Sequence, residues 1–162
     1  MNLYVVMGVS GCGKSTVAAR LAEGRGGDFL VADDFHPQAN KAKMAAGIPL
    51  QDEDRAGWLD LLNAEFKKRT ANGRETFLAC SALRQIYRDR LAAGLPSLRF
   101  IYLKGSRESI RSRLEQRTDH FMSPSLLESQ FATLEEPTDA IDISIEQPLE
   151  AVVAEALAKI GS

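Results

Sequence analysis

The sequence predicts a three-layer α/β/α fold, a parallel sheet of five strands covered by helices on both faces. Three observations predict it. Five short runs, apolar almost throughout, recur along the chain, as strands buried on both faces do. Segments with helical spacing of apolar residues separate them, and that alternation calls for crossover connections and a parallel sheet. A glycine-rich turn also follows the first run directly and opens the first helical segment.

The strands are expected at residues 3–7, 29–32, 76–80, 99–103 and 141–145. The helices are expected at 14–23, 39–46, 55–72, 83–93, 108–117, 126–133 and 149–160. Gly47, Gly73, Gly94 and Gly161 stand where four of these helices should stop. No repeat, linker or low-complexity tract divides the chain, so residues 1–162 read as one domain. Ligands of such a sheet bind beyond the carboxyl ends of its strands, and the chemistry is expected at that edge.

Composition narrows the function class. The 162 residues are 44% apolar and 26% charged, with 20 basic against 22 acidic side chains. A net charge of −2 argues against a nucleic-acid binder, which would carry a basic excess. No apolar run approaches the ~20 residues of a membrane helix, and no signal peptide is visible. Two cysteines, Cys12 and Cys80, form neither a disulfide framework nor a metal set, which fits a reducing, cytoplasmic setting.

Residues 8–15, GVSGCGKS, match G-x-x-x-x-G-K-[ST] in full and in the required strand-to-helix context. Gly8, Gly11 and Gly13 let successive backbone N–H groups, those of Val9, Ser10 and Cys12 among them, curl around phosphate oxygens. The helix opening at Lys14, Ser15 and Thr16 adds the partial positive charge of its N-terminus. Lys14 is expected to reach the β- and γ-phosphates of ATP, and the Ser15 hydroxyl to ligate Mg²⁺. Cys12 reads as a small residue filling a loop position, with no catalytic role.

The acceptor side lies at the same sheet edge. The second strand ends in Ala32-Asp33-Asp34, followed by Phe35-His36-Pro37. If the strand runs that far, only one carboxylate of the pair faces the site, and Asp33 is chosen. Asp33 would accept the proton of an attacking hydroxyl or hold Mg²⁺, while Asp34 reads as a helix N-cap or a solvated side chain. His36 either ends a strand or hydrogen-bonds a polyol. Asp52, Glu53 and Asp54 read as charges at a helix N-terminus, and Arg55 follows them. Arg84 stands after the third strand, where the next helix opens. Two arginines at strand-end loops beside an Asp base point to a small anionic acceptor bearing a hydroxyl. Beyond the fourth strand, Arg111, Arg113 and Arg117 line a helical segment, with Arg113 and Arg117 on one face. This segment reads as a lid, about residues 107–124, that closes over the nucleotide and excludes water.

Together these motifs resemble the gluconate kinases, small ATP-dependent kinases related to shikimate kinase. The matching stretches are GVSGCGKST at 8–16, ADDFHP at 32–37, NKAKMAAGIPLQDEDRAGWL at 40–59, CSALRQIYRDRL at 80–91, FIYLKG at 100–105, HFMSPSLLESQFATLEEP at 120–137 and QPLE at 147–150. The resemblance implies a P-loop NTPase fold with sheet order 2-3-1-4-5. It also implies transfer of the ATP γ-phosphoryl group, with Mg²⁺, to the 6-hydroxyl of D-gluconate. It places Asp33, His36, Arg55, Arg84 and His120 at gluconate, Arg113 near adenine and Arg117 near the phosphates. It further implies a homodimer. Val31 and Asp119 depart from the family pattern, which carries an acid and a glycine there. The alternatives are a kinase of another small hydroxy acid such as shikimate, or a nucleotide-binding switch. The first is disfavoured by CSALR in place of a glycine cluster, the second by the lack of N-K-x-D.

The net charge conceals a segregation. Residues 84–117 hold nine basic and three acidic side chains, and residues 118–158 hold no basic and nine acidic ones. The basic arm is expected to lie where a nucleotide and an acidic acceptor would meet.

Overall fold

The computed structural model describes residues 2–116 and 124–161. Five parallel strands, β1 (Leu3–Met7), β2 (Asp28–Val31), β3 (Thr76–Ala79), β4 (Leu98–Lys104) and β5 (Ile141–Ser144), form one sheet in the order β2-β3-β1-β4-β5. That is the 2-3-1-4-5 order the resemblance implies. β1 is central: Leu3 pairs with Thr76 on one side and with Leu98 on the other. All five β1 residues are fully buried, which is why the strand is apolar throughout rather than alternating.

Seven α-helices are found among the described residues: α1 (Lys14–Arg25), α2 (Gln38–Ala45), α3 (Asp52–Ala71), α4 (Gln85–Ala92), α5 (Arg107–Glu115), α6 (Pro124–Thr133) and α7 (Leu149–Ile160). None is long and apolar enough to cross a membrane. The pleat of β1 divides the core. Tyr4 and Val6 face a cluster with Val17 and Leu21 of α1 and Val152 and Ala156 of α7. Leu3, Val5 and Met7 face Leu59, Leu62 and Phe66 of α3 and Leu91 of α4.

The boundaries differ from expectation where side chains intervene. β2 begins at Asp28, one residue early, because its carboxylate is held by Arg69 at 2.6 Å and Arg74 at 2.8 Å. The strand stops at Val31, and Ala32–Phe35 form one turn of 3₁₀ helix, so the alternation argument for choosing between Asp33 and Asp34 does not apply. Helix α3 starts three residues early because the Asp54 carboxylate accepts the Gln51 N–H at 2.8 Å, joining three acids at the helix N-terminus. Helix α4 starts two residues late. Ala82 is left-handed, with φ 46°, and the Leu83 carbonyl accepts the Glu135 N–H at 2.7 Å, so neither can be helical. Gly47, Gly73, Gly94 and Gly161 do follow helix ends. The same device ends α1 at Gly26 rather than at residue 23.

Candidate active site

The turn from β1 into α1 takes its shape from glycine. Gly11 has φ 88°, and a Cβ there would stand 2.9 Å from Leu114 of α5. Gly13 has φ 89° and caps α1, with only Arg113 within 4 Å of such a Cβ. Neither conformation suits a side chain, and at Gly11 there is also no room for one. The α1 N-terminus has no capping side chain and no acid in its first turn. Its first N–H groups therefore stay free for an outside acceptor. Gly11, Gly13, Lys14, Ser15 and Thr16 open on a cavity of about 620 Å³ at the carboxyl edge of the sheet.

Asp33, His36 and Arg55 line the same cavity. The Asp33 side chain is 86% exposed, open to ligand and solvent, as Asp34 is to solvent. Asp34 caps no helix, since Val31 and Pro37 hold the flanking cap positions. His36 ends no strand, since it follows the 3₁₀ turn as its C-cap. Its side chain is only 5% exposed, and the ring stacks on Trp58 with centroids 4.2 Å apart and planes 15° from parallel. Nε2 stands 4.0 Å from the Asp33 carboxylate. Burial pushes the His36 pKa below its ordinary value, against the pull of Asp33. Trp58 is fixed in turn by donating its indole N–H to the Ala32 carbonyl at 2.7 Å. Arg55 donates to the Leu50 carbonyl at 3.0 Å and lies over the Tyr87 ring, 5.6 Å from its centroid.

The structure brings Arg55 to the cavity wall but not Arg84. Arg84 is the N-cap residue of α4, bonded to Asp52 at 3.0 Å and lying over the Tyr87 ring, 5.6 Å from its centroid. Tyr87 donates its hydroxyl to the same Asp52 at 2.8 Å, and that bond, with Arg84, holds the Asp52 carboxyl below its usual range. Helix packing of α3 on α4 thus gives Arg84 an internal partner.

Arg113 lies beside Gly13, its guanidinium donating to the Ile145 carbonyl at 2.8 Å. Helix α5 ends at Glu115, and the helical face expected to carry both Arg113 and Arg117 reaches beyond the described residues. Arg117, Asp119 and His120 lie outside the described residues. Burial raises both thiols, Cys80 to about 12, so Cys12 and Cys80 are neutral and fill space.

Three contributors escaped the reading of motifs. Gln130 of α6 binds Ser10 twice, accepting its N–H at 2.7 Å and donating to its hydroxyl at 3.0 Å. Arg88 is buried and donates to the Ala82 carbonyl at 2.7 Å, holding the left-handed residue in the loop that forms the cavity floor. The Ser81 carbonyl of that loop accepts the Gly8 N–H at 3.3 Å. The third is Asn40, bonded to His36. Gln130 and Arg88 lie within the stretches that resemble gluconate kinases, but a Gln or Arg in a helix gives no signal of a partner distant in sequence.

A family model described as an AAA domain matches residues 3–137. The thermoresistant gluconokinase of Escherichia coli K12 is 48% identical over 158 residues, covering 94% of this chain and 90% of that protein. The chain belongs to the gluconokinase family. A gluconokinase structure from Sinorhizobium meliloti 1021 superposes with a TM-score of 0.84 at 43% identity, covering 97% of this chain and 90% of the other. An unliganded sugar kinase structure from Janibacter sp. HTCC2649 gives 0.89 at 45% identity, covering 99% and 94%. Fold and family membership thus rest on nearly the whole length, not on the phosphate loop alone.

The site also fits the two groups that such chemistry needs. The free N–H groups of α1 and the Lys14 ammonium suit polyphosphate. No group of three or more His, Cys, Asp and Glu among the described residues could cage a metal. Ser15 and Asp33 supply oxygen donors only, the set that suits a Mg²⁺ ion held chiefly by phosphate and water.

Proposed function

We propose that the chain catalyses transfer of the γ-phosphoryl group of ATP to the 6-hydroxyl of D-gluconate, giving 6-phospho-D-gluconate. The observation that carries this reading is one cavity lined both by a phosphate cradle and by Asp33, His36 and Arg55. Family membership supplies the acceptor.

In this reading the α1 N-terminus and Lys14 hold the phosphates and offset charge on the transferring group. Arg55 is the cation available to a sugar-acid carboxylate, and its contacts with Leu50 and Tyr87 pre-orient it. Asp33 accepts the proton of the attacking hydroxyl as the new oxygen–phosphorus bond forms and the bond to ADP breaks. Mg²⁺, when bound, neutralises phosphate charge, with Ser15 and Asp33 the side chains to hold it directly or through water. Segment 107–124 acts as the lid, with Arg113 on the adenine side and Arg117 toward the phosphates, and His120 joins the gluconate pocket. The enzyme works in the cytoplasm as a homodimer, which sedimentation of the purified protein would check.

Purified protein with Mg-ATP is expected to release ADP rapidly with gluconate, and negligibly with shikimate, glucose or nucleoside monophosphates. ADP release that is equal with and without gluconate would overturn the reading and favour a nucleotide switch.

A further inference from the structure

Asn40, on α2, is 97% buried and carries no charge. Its amide nitrogen has two hydrogens. One goes to the Asp54 backbone carbonyl at 3.0 Å. A carbonyl only accepts, so the amide cannot be flipped without setting oxygen against oxygen. The second hydrogen faces the His36 Nδ1 at 3.2 Å. A ring nitrogen facing an N–H must offer a lone pair, so Nδ1 carries no proton and Nε2 carries it. A half-turn of the ring would keep its stack on Trp58 but set the Cδ2–H against the Asn40 N–H, so the bond to Asn40 is what fixes the orientation. Nε2 is the nitrogen near Asp33, 4.0 Å from its carboxylate.

We propose that Asn40 is a positioning residue that locks His36 in the Nε2–H tautomer, so that the acceptor cavity presents an N–H donor beside the Asp33 carboxylate to a hydroxyl oxygen of the acceptor. This rests on the kinase reading for its ligand, but not for the tautomer. The two side chains then divide the work on a polyol. Asp33 only accepts and takes a hydroxyl hydrogen; His36 only donates and takes a hydroxyl oxygen. An acceptor with no hydroxyl at the histidine leaves a buried N–H unpaired, which penalises its binding. Burial of the ring acts in the same direction, disfavouring a second proton on Nδ1.

The tautomer is read directly by long-range proton–nitrogen NMR of ¹⁵N-labelled protein without any ligand. The chain has two histidines, and His36→Gln assigns the signals. The expected result is a neutral ring protonated on Nε2. A ring protonated on Nδ1 would overturn the lock. Asn40→Asp offers Nδ1 an acceptor in place of a donor and is expected to draw a proton to it. At about pH 9, where the ring is neutral, KM for gluconate should then rise about tenfold with KM for ATP unchanged. An unchanged KM for gluconate with the proton on Nδ1 would overturn the donor role. Absence of gluconate-dependent ADP release from the wild type would overturn the kinase reading alone and leave the tautomer result standing.

Discussion

Gln130 and Ser10 are 120 residues apart in sequence and share two hydrogen bonds, at 2.7 and 3.0 Å. The first uses the backbone N–H of the phosphate loop, the second its hydroxyl. Helix α6, which follows the proposed lid, is thereby tied to the loop that holds the nucleotide.

Gln130→Ala removes both bonds and leaves the Ser10 N–H without its partner. Each such bond is worth about 1 kcal/mol net, so the loop should lose order equivalent to roughly tenfold in ATP affinity. Isothermal titration with ATP checks this. Unchanged ATP affinity would mean that the loop holds its shape without α6.

Asp33→Asn keeps the size of the side chain and removes its basicity. Turnover is expected to fall by at least ~10²-fold, as positioned proton acceptors typically contribute that much. ATP binding should remain nearly intact. A loss confined to ATP affinity would assign Asp33 to the nucleotide side instead.

Arg55 and Arg84 each lie 5.6 Å from the centroid of the Tyr87 ring, and only Arg55 lines the cavity. Arg55→Ala should raise KM for gluconate by roughly 10- to 100-fold, the worth of a charge-assisted bond to a carboxylate. Arg84→Ala should change it by less than about threefold, since it removes a half-exposed pair with Asp52. Steady-state kinetics of the two variants decides between them, and the reverse order would move the carboxylate subsite to Arg84.

Asp54 is held below its ordinary value of 3.8 first by the Gln51 N–H and then by Lys43 at 2.9 Å. Because the folded pKa is the lower one, the unfolded chain binds more protons in acid, and stability falls as pH falls. The contribution is complete above pH 3.8 and disappears as pH drops through the depressed folded value. Asp54→Ala should therefore lower the Tm at neutral pH and match the wild type in strong acid, a comparison made by thermal melts across pH. A difference in Tm independent of pH would assign the effect to packing.

The sequence by itself determined the sheet, the phosphate loop and the edge where the two would meet a ligand. Those features are local: apolar runs, glycines at a turn and helix stops depend on neighbours a few residues away. The position of the Asp33–Asp34 pair was legible for the same reason, whereas the 3₁₀ turn decided that Asp33 and not Asp34 lines the cavity.

What the tertiary structure decided were the partners of charged and polar groups, because a pairing depends on which helices pack together. The basic arm of residues 84–117 illustrates this. Among the described residues, most of its cations do not converge on the nucleotide site. Arg84 goes to Asp52, Arg90 to Asp60, Lys104 to Glu136, and Arg107 and Arg111 to Glu128. Arg88 is buried against the Ala82 and Glu135 carbonyls. Of the described members, Arg113 alone lies within 4 Å of where a Cβ on the loop's Gly13 would stand. Two of the four acids, Glu128 and Glu136, come from the acidic tract after residue 117, so folding resolves part of the segregation along the chain. An arginine in a sequence announces a charge, but only the packing of α3, α4 and α6 around it determines whether that charge meets a ligand or an acid of the same chain.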